Sequence, residues 1–271
     1  MEAPGGYAIW CERSGRLFHT DVAGTQLRAW TPASGQRRSW RLPEPLHCFA
    51  LTASRERLLL GLASRLAFLD LNTGLLAPVC DVAPGTRPSD GRCDRQGRFV
   101  FGTAGVAEGA RCGFWRLHHD LSLERLPLGD CGAATGIGFS PNGRVLYYAD
   151  ADADAASPGI RCCDYHPCSG EITRPRAFAA ADAAGLVVVD AEAGLWSVRE
   201  GSRQLRRIAA DGSVERVLAL DAPCAGWPVF GGPGLDTLYV PTGSGEVFAD
   251  YRPGVQGLAE ARFLGRLPSR A

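Results

Sequence analysis

A turn-centred phrase that recurs along the chain constrains its fold more than any other feature. In the clearest copy an apolar run ends in Ser-Pro-Asn-Gly at residues 140–143, and a second run rich in β-forming residues follows at 145–149. Proline presets φ at the second turn position, whereas asparagine and glycine tolerate positive φ. The phrase therefore predicts a strand, a tight turn and a second strand.

The phrase occurs six times, at intervals of about 40 to 50 residues, which is typical of a four-stranded propeller blade. The copies occupy residues 11–21, 51–62, 93–103, 139–150, 189–198 and 230–242. Second hairpins with the same turn chemistry lie between them, at residues 26–42, 65–79, 114–128, 160–178 and 204–220. We predict an all-β fold, a six-bladed β-propeller with four antiparallel strands per blade. We expect residues 1–271 to form a single domain, in which 243–271 complete the last blade and close the ring.

Composition narrows the classes of partner. Twenty-nine basic and 29 acidic residues balance to a formal net charge of +0 and are scattered, which argues against a nucleic-acid surface. No apolar run is long enough to cross a bilayer, and the first residues lack the basic start and apolar segment of a signal peptide. We expect a cytoplasmic protein whose ten cysteines are reduced and mostly packed as small hydrophobes.

The repeated phrases also resemble a known family. The segments RSGRLFHTDV, RPSDGRCDRQGRFVFGT, TGIGFSPNGRVLYYAD, LVVVDAEAGLW and VFGGPGLDTLYV are similar, in order and over nearly the whole chain, to the senescence marker protein, gluconolactonase and luciferin-regenerating enzyme family, the regucalcin relatives. The resemblance implies a six-bladed propeller. It also implies hydrolysis of sugar lactones with one divalent metal in the channel, as in many members.

The metal ligands that the resemblance implies are a Glu, an Asn and an Asp. Their positions fall on Gly6, Thr135 and Gly185, or on Ala184 if the last strand slips by one residue. A threonine hydroxyl is a poor ligand and glycine offers only its backbone, so we predict no metal at this site and no cofactor. Rearranged ligands remain an alternative, with Glu2 and Asp182 as the nearest acids.

The family's Arg-x-Asn-Asp-Gly motif is partly retained. Its substrate-binding Asn falls on Ser89, while Arg87, Asp90 and Gly91 remain. Arg87 is a candidate catalytic residue, because a guanidinium in a low-dielectric cavity binds a carboxylate, phosphate or enolate. The alternative is a structural ion pair with Asp90 or Asp94.

Other side chains are expected to fill the vacated channel. His47 is the second candidate catalytic residue, as an acid or base; the alternative is a hydrogen-bonded channel histidine, with Cys48 as core filler. Trp227 either stacks on a planar substrate or plugs the space left by metal and water. The predicted substrate-binding set is Tyr7, Cys48, Ser89, Cys131, Thr135 and Trp227.

Three further clusters of potential ligands are more simply explained as parts of hairpins, turns and loops. Cys162, Cys163, His166 and Cys168 carry soft ligands, but their spacing matches no standard zinc finger and they lie on a blade hairpin. His118-His119 lies at a predicted hairpin turn. The run Asp150, Asp152 and Asp154 is typical of an exposed loop at the channel mouth.

The sequence leaves more than one function open. We predict a propeller that acts on a small planar or anionic metabolite by metal-independent acid–base or electrostatic catalysis: hydrolysis, cyclisation or isomerisation. The alternatives are a metal-dependent lactone hydrolase with rearranged ligands and a non-catalytic small-molecule-binding propeller. The oligomeric state stays open.

Overall fold

Six antiparallel sheets follow one another along the chain in the computed structural model, which describes residues 6–20, 25–150, 159–179, 185–199, 201–242 and 247–266. The first three sheets contain β1 (Ala8–Cys11), β2 (Arg16–Thr20), β3 (Gln26–Thr31) and β4 (Gln36–Arg41); β5 (Leu46–Leu51), β6 (Arg57–Leu62), β7 (Arg65–Asp70) and β8 (Leu76–Asp81); and β9 (Thr86–Cys93), β10 (Phe99–Gly105), β11 (Phe114–Leu117) and β12 (Leu123–Arg125). The last three contain β13 (Ala134–Phe139), β14 (Val145–Asp150), β15 (Ile160–Tyr165) and β16 (Ile172–Ala179); β17 (Leu186–Val189), β18 (Leu195–Val198), β19 (Gln204–Ile208) and β20 (Val214–Ala219); and β21 (Val229–Gly231), β22 (Thr237–Thr242) and β23 (Val247–Tyr251).

The first strand of each sheet lies at the centre of the propeller. Neighbouring first strands contact one another, β5 with β9, β9 with β13, β13 with β17, and β21 with β1, which closes the ring. The predicted six-bladed β-propeller is confirmed, and each of the six phrases forms the hairpin between the first and second strands of a blade. Within the described part of the chain the sixth sheet has three strands.

Turn chemistry fixes these hairpins as expected. In the fourth blade, Gly143 adopts a φ of 68° and its N–H donates to the Ser140 carbonyl at 2.8 Å. The Ser140 hydroxyl accepts from the backbone N–H groups of Arg144 and Val145, at 3.1 and 3.0 Å. These bonds satisfy the turn backbone and set the register of β13 against β14.

Burial falls from the axis outward. First and second strands such as β6 and β13 are buried on both faces because adjacent blades pack against them, so they carry continuous runs of apolar or small residues. Fourth strands such as β4 and β20 are mostly exposed and rich in arginine or glutamate. This gradient places the core between blades and leaves a channel along the first strands.

The segment after β23 crosses one end of the channel. Gly257 forms an isolated bridge with Asp190 of the fifth blade, and Phe263 forms one with Thr52 of the second blade. Phe263 is fully buried. Of the segment expected to complete the last blade and close the ring, 247–251 form β23, whereas 252–266 form a strap across the end of the channel; the ring itself is closed by β21 and β1.

No helix in the described ranges is long and apolar enough to cross a membrane.

A buried carboxylate holds the turn of the fifth blade. Asp190 is fully buried; it accepts from the backbone N–H of Gly194 at 2.8 Å, from the Trp196 indole at 2.8 Å and from the Arg207 Nε at 2.7 Å. Every oxygen thus has a partner, and the guanidinium provides the countercharge that a buried carboxylate requires. Asp94 and Arg98 form the equivalent pair in the third blade, at 2.6 Å.

We predict that Asp190→Ala lowers the free energy of unfolding by about 3 to 5 kcal/mol, because it leaves the Arg207 guanidinium without its buried partner. Asp236→Ala is the matched control: this acid lies at the equivalent turn of the sixth blade, is half exposed and pairs with the exposed Arg252. Its loss should cost less than about 1 kcal/mol. Urea unfolding of both variants measures the difference, and equal losses would contradict the role assigned to Asp190.

Candidate active site at the open end of the channel

The predicted channel residues divide into a partly exposed set and a buried set. Those with partial exposure are His47, Arg87 and Cys131. Those that are buried are Tyr7, Cys48, Ser89, Thr135 and Trp227. A ligand entering from solvent therefore meets the first set, at the end of the channel opposite the strap.

Arg87 and His47 contact each other across neighbouring first strands. Arg87 Nη1 lies 3.2 Å from His47 Nδ1 and 3.4 Å from the Pro88 carbonyl. Because a guanidinium only donates, His47 Nδ1 must be the acceptor, and the neutral ring then carries its proton on Nε2. Among the described residues Arg87 forms no ion pair with Asp90 or Asp94, so the structural alternative for this arginine is not the one observed.

The His47 imidazole is neutral at physiological pH. Burial, followed by the positive charge of Arg87, lowers its pKa to about 4. Burial also lowers the pKa of Arg87, which still remains cationic. The pair thus presents a guanidinium and an imidazole N–H as donors, and His47 is a weak base.

The nearby thiols are poor nucleophiles. Cys48 is fully buried with its Sγ packed against Gly61, and burial raises its pKa well above the usual value. Burial raises the pKa of Cys131 to about 12. A thiolate is the reactive form, so both cysteines are inert at neutral pH.

An aromatic layer closes the channel beneath these residues. The Tyr7 ring lies 5.2 Å from the ring of Trp227 and 5.2 Å from that of Phe49, measured between centroids. The Tyr7 hydroxyl donates to the Gly91 carbonyl. Trp227 is only 2% exposed. This burial agrees with the interpretation that Trp227 fills the channel, and not with the one in which it stacks on a substrate.

Asp90 and Arg92 lie within the same layer. No short motif in the sequence identified Arg92 as part of it. The Asp90 carboxylate accepts from the backbone N–H groups of Gly91 at 2.7 Å and Ile137 at 2.8 Å. Burial raises the pKa of Asp90, and Arg92 opposes the rise.

The serine and the threonine of the predicted set are both buried. The Ser89 hydroxyl donates to the Ala134 carbonyl and so ties β9 to β13. Thr135 lies on β13 and is 7% exposed. Because its hydroxyl is hydrogen-bonded to the backbone, Ser89 has a structural role that its position in the motif does not predict.

The residues at the family's metal positions do not fit a divalent ion. A Cβ built on Gly6 would lie 2.5 Å from the Thr20 carbonyl oxygen, and one on Gly185 would overlap that of Val198. The backbone at both positions therefore excludes any side chain, and Thr135 alone makes a poor site. No cluster of three or more His, Cys, Asp or Glu side chains in the described ranges is arranged to hold a metal. Glu2, Asp182 and Ala184 lie outside those ranges.

The remaining clusters form turns and strand faces. Cys162 and Cys163 are buried on β15, whereas His166 is exposed and its Nδ1 pairs with the Ser169 hydroxyl at 2.9 Å. His118 Nε2 pairs with Glu124, and His119 Nε2 with the Gln96 carbonyl, both at 2.8 Å. Asp150 accepts from Gly132 and Ala133 N–H groups and so holds the channel-mouth loop. Asp152 and Asp154 fall outside the described residues.

Known proteins agree with this architecture. A family model described as SMP-30/Gluconolactonase/LRE-like region matches residues 5–244. L-arabinolactonase of Azospirillum brasilense is 41% identical over 215 residues, 76% of this chain and 70% of that protein. 6-Deoxy-6-sulfogluconolactonase of Pseudomonas putida is 29% identical over 286 residues, 95% of this chain and 94% of that protein.

Solved structures share the fold. A luciferin-regenerating enzyme superposes with a TM-score of 0.84 and 18% identity, covering 97% of this chain and 96% of that one. A calcium-binding protein, regucalcin, from Agrobacterium tumefaciens has a TM-score of 0.82 and 22% identity, covering 98% and 95%. At these identities the likeness shows the fold alone. The family resemblance drawn from the repeated phrases is confirmed by the family model.

We predict that His47 makes the stability of the protein depend on pH. The folded-state pKa of about 4 lies below the ordinary histidine pKa of 6.5, so between these values the unfolded state binds the proton and the folded state does not. The free energy of unfolding therefore falls as pH drops through this window, by up to about 3 kcal/mol, and rises again with pH. Urea unfolding from pH 7 to pH 4 should show this loss for the parent chain and not for His47→Gln. His166→Gln replaces an exposed histidine and should follow the parent; a His47→Gln curve parallel to the parent would contradict the assignment.

We predict that Gly185→Ala destabilises the protein by about 1 to 3 kcal/mol, because the new Cβ overlaps the Val198 carbonyl and forces a backbone shift. Gly234→Ala is the control, since its Cβ would meet nothing closer than 3.6 Å. Thermal unfolding distinguishes the two. A Gly185→Ala protein as stable as the control would show that a side chain, including a metal ligand, is tolerated there.

Proposed function

We propose that this chain, which belongs to the SMP-30/Gluconolactonase/LRE-like family, hydrolyses a small sugar lactone at the open end of its channel. The Arg87–His47 pair supports the proposal: it is the partly exposed pair of hydrogen-bond donors where a ligand would enter. Catalysis would be electrostatic.

The substrate class follows from relatives and from charge. Two relatives are named as lactonases, one for L-arabinolactone and one for 6-deoxy-6-sulfogluconolactone. A lactone has a polar carbonyl, and its hydrolysis product is a carboxylate. The Arg87 guanidinium suits both, because it stabilises the negative oxygen that develops during the reaction and binds the anionic product.

The proposed chemistry uses donors rather than a bound nucleophile. A hydroxide from solvent, or a water that gives its proton to solvent, adds to the lactone carbonyl carbon, and the carbonyl oxygen becomes negatively charged in the tetrahedral intermediate. Arg87 donates to this oxygen through an N–H that is not bonded to His47, and the bond to His47 Nδ1 orients the guanidinium. The ring C–O bond then breaks, the ring oxygen takes a proton from solvent, and the hydroxy acid leaves. No step passes through a metal, because Gly6, Thr135 and Gly185 do not supply a ligand set.

A second candidate, binding of the sugar acid without turnover, is favoured because the described residues place no free base beside the donors. Two carboxylates close to the pair are engaged: Asp90 accepts two backbone N–H groups, and Glu44 accepts from Ser64 N at 2.8 Å and pairs with Arg65 at 2.7 Å. Cys48 is buried. A hydrolase built this way would depend on hydroxide or on solvent as the proton acceptor, so its rate should rise with pH.

We place this activity in the cytoplasm. All ten cysteines are free thiols in the structure. Unpaired cysteines in this number suit a reducing compartment, since an oxidising one promotes disulfides.

We predict that chelator-treated protein hydrolyses L-arabino-1,4-lactone or D-glucono-1,5-lactone, and that added Mn²⁺, Zn²⁺ or Ca²⁺ does not increase the rate. Arg87→Met should lower kcat/KM about 100-fold, because it removes the donor to the developing oxyanion, and His47→Ala about 10-fold, because it removes the acceptor that orients the guanidinium. Acid release followed with a pH indicator measures the rates. Arg55→Met, which removes an exposed arginine from the turn after β5, should match the parent.

The outcomes separate the candidates. A rate abolished by the chelator and restored by one divalent ion would overturn the metal-independent mechanism. Saturable binding of L-arabinonate or D-gluconate, lost in Arg87→Met and unaccompanied by turnover, would establish the binding protein instead. Equal rates for Arg87→Met and the parent would remove Arg87 from the site.

A further inference from the structure

A cavity of about 500 Å³ lies between the outer strands of the first blade and β23 of the sixth. It is separate from the channel, because β3 and β4 are the third and fourth strands of their sheet, counted from the axis. Within the described residues the sixth sheet ends at β23, so no fourth strand of that blade faces β4. The volume falls within the range of small-molecule sites, roughly 300 to 1,000 Å³.

One face of the first blade forms most of the cavity wall. The register places Trp30 opposite Arg37 and Arg28 opposite Ser39, and alternation along β3 and β4 puts these four side chains on the same face. All four line the cavity, as does Phe248 of β23. The Cβ atoms of directly opposite residues lie about 5 Å apart, so an aromatic surface and polar groups meet in one patch.

The aromatic part of the wall is only partly covered by protein. Trp30 meets Tyr239 edge to face, with 6.0 Å between the ring centroids, and Phe248 meets His19 in the same way at 5.1 Å. Trp30 and Phe248 nevertheless stay partly exposed in the cavity. A partly exposed indole offers a π face on which a planar ring can stack.

The polar part of the wall is basic. Among the described residues, neither the Arg37 guanidinium nor the Ser39 hydroxyl has a hydrogen-bond or ion-pair partner, and both side chains are exposed. Arg28 and Arg38 also line the cavity, and none of the described lining residues is acidic. Asp250 of β23 lies outside the lining. The wall therefore favours an anionic group beside Arg37.

The third blade contains the same pair of residues with its arginine engaged. Trp115 and Arg125 lie opposite each other on β11 and β12, as Trp30 and Arg37 do on β3 and β4. Arg125 forms an ion pair with Asp130, and its guanidinium lies 5.9 Å from the centre of the Trp115 ring. An anion beside Arg37 would take the place that Asp130 has in the third blade.

We propose that this cavity binds a mononucleotide-like ligand, a planar aromatic ring that carries a phosphate. The ring stacks on Trp30, and the phosphate accepts hydrogen bonds from the Arg37 guanidinium and the Ser39 hydroxyl. A guanidinium binds phosphate oxygens through two parallel N–H groups, which an arginine without other partners is free to offer. A ligand with only the ring or only the phosphate would use half of the site.

Isothermal titration calorimetry of the purified chain with AMP tests the proposal. Adenosine and ribose 5-phosphate are the comparison ligands, because one keeps the ring and the other keeps the phosphate. We expect saturable binding of AMP, and binding about tenfold weaker or more for each comparison ligand. Absence of saturable AMP binding, or ribose 5-phosphate binding as tight as that of AMP, would overturn the site.

Variants with matched controls test each part of the site. Trp30→Ala and Arg37→Met should each weaken AMP binding about tenfold or more, because one removes the stacking surface and the other removes the phosphate donor. Trp115→Ala and Arg55→Met make the same changes outside the cavity and should bind AMP as the parent does. If Trp30→Ala does not fold, Arg37→Met decides alone, since its position is exposed. Parent affinity in Arg37→Met would overturn the assignment.

The channel is a second place where a phosphate could meet a guanidinium, and Arg87→Met distinguishes it. This variant should keep the AMP affinity of the parent, whereas loss of AMP binding would place the nucleotide in the channel and overturn the proposal. The inference does not depend on the lactonase proposal. Arg37→Met should hydrolyse lactone at the parent rate, so a failure here is distinguishable from a failure there.

Discussion

The contacts of the buried Arg92 guanidinium hold together the layer that lies between the two ends of the channel. It lies among Tyr7, Asp90 and Glu260, three groups from two first strands and the strap. Burial alone would lower the pKa of Arg92, but Glu260, Tyr7 and Asp90 more than offset this and keep it charged. This layer separates the open end of the channel, where Arg87 and His47 are partly exposed, from the end that the strap covers.

The same layer links the first strands of different blades directly. Hydrogen bonds connect Tyr7 to Gly91 between the first and third blades, and Ser89 to Ala134 and Asp90 to Ile137 between the third and fourth. The backbone is closely packed at two further channel positions, since Gly6 and Gly185 leave no room for a Cβ. The centre of the propeller is thus held together by protein groups of the described residues.

The fold was predictable because its signal is local and repeated. Each turn phrase specifies its own hairpin, in five of the six copies with a glycine in or beside the turn, so six similar phrases define six blades without long-range information. The site was only partly predictable. Sequence placed His47 and Arg87 on neighbouring first strands, but their contact and its effect on His47 depend on side-chain packing. Glu260 carries no local signal, since it reaches Arg92 through the strap, whose path depends on the completed ring.

The protonation state of His47 decides which kind of catalyst the open end can be. If Nε2 were the free nitrogen, His47 would be a general base beside a cation, an arrangement suited to proton abstraction. The Arg87 guanidinium removes that option by occupying Nδ1, which leaves the ring neutral with its proton on Nε2. An oriented guanidinium with no free base beside it among the described residues favours reactions in which negative charge develops on a substrate oxygen and solvent carries the protons. Lactone opening is such a reaction, whereas isomerisation or elimination requires a base to remove a proton from carbon.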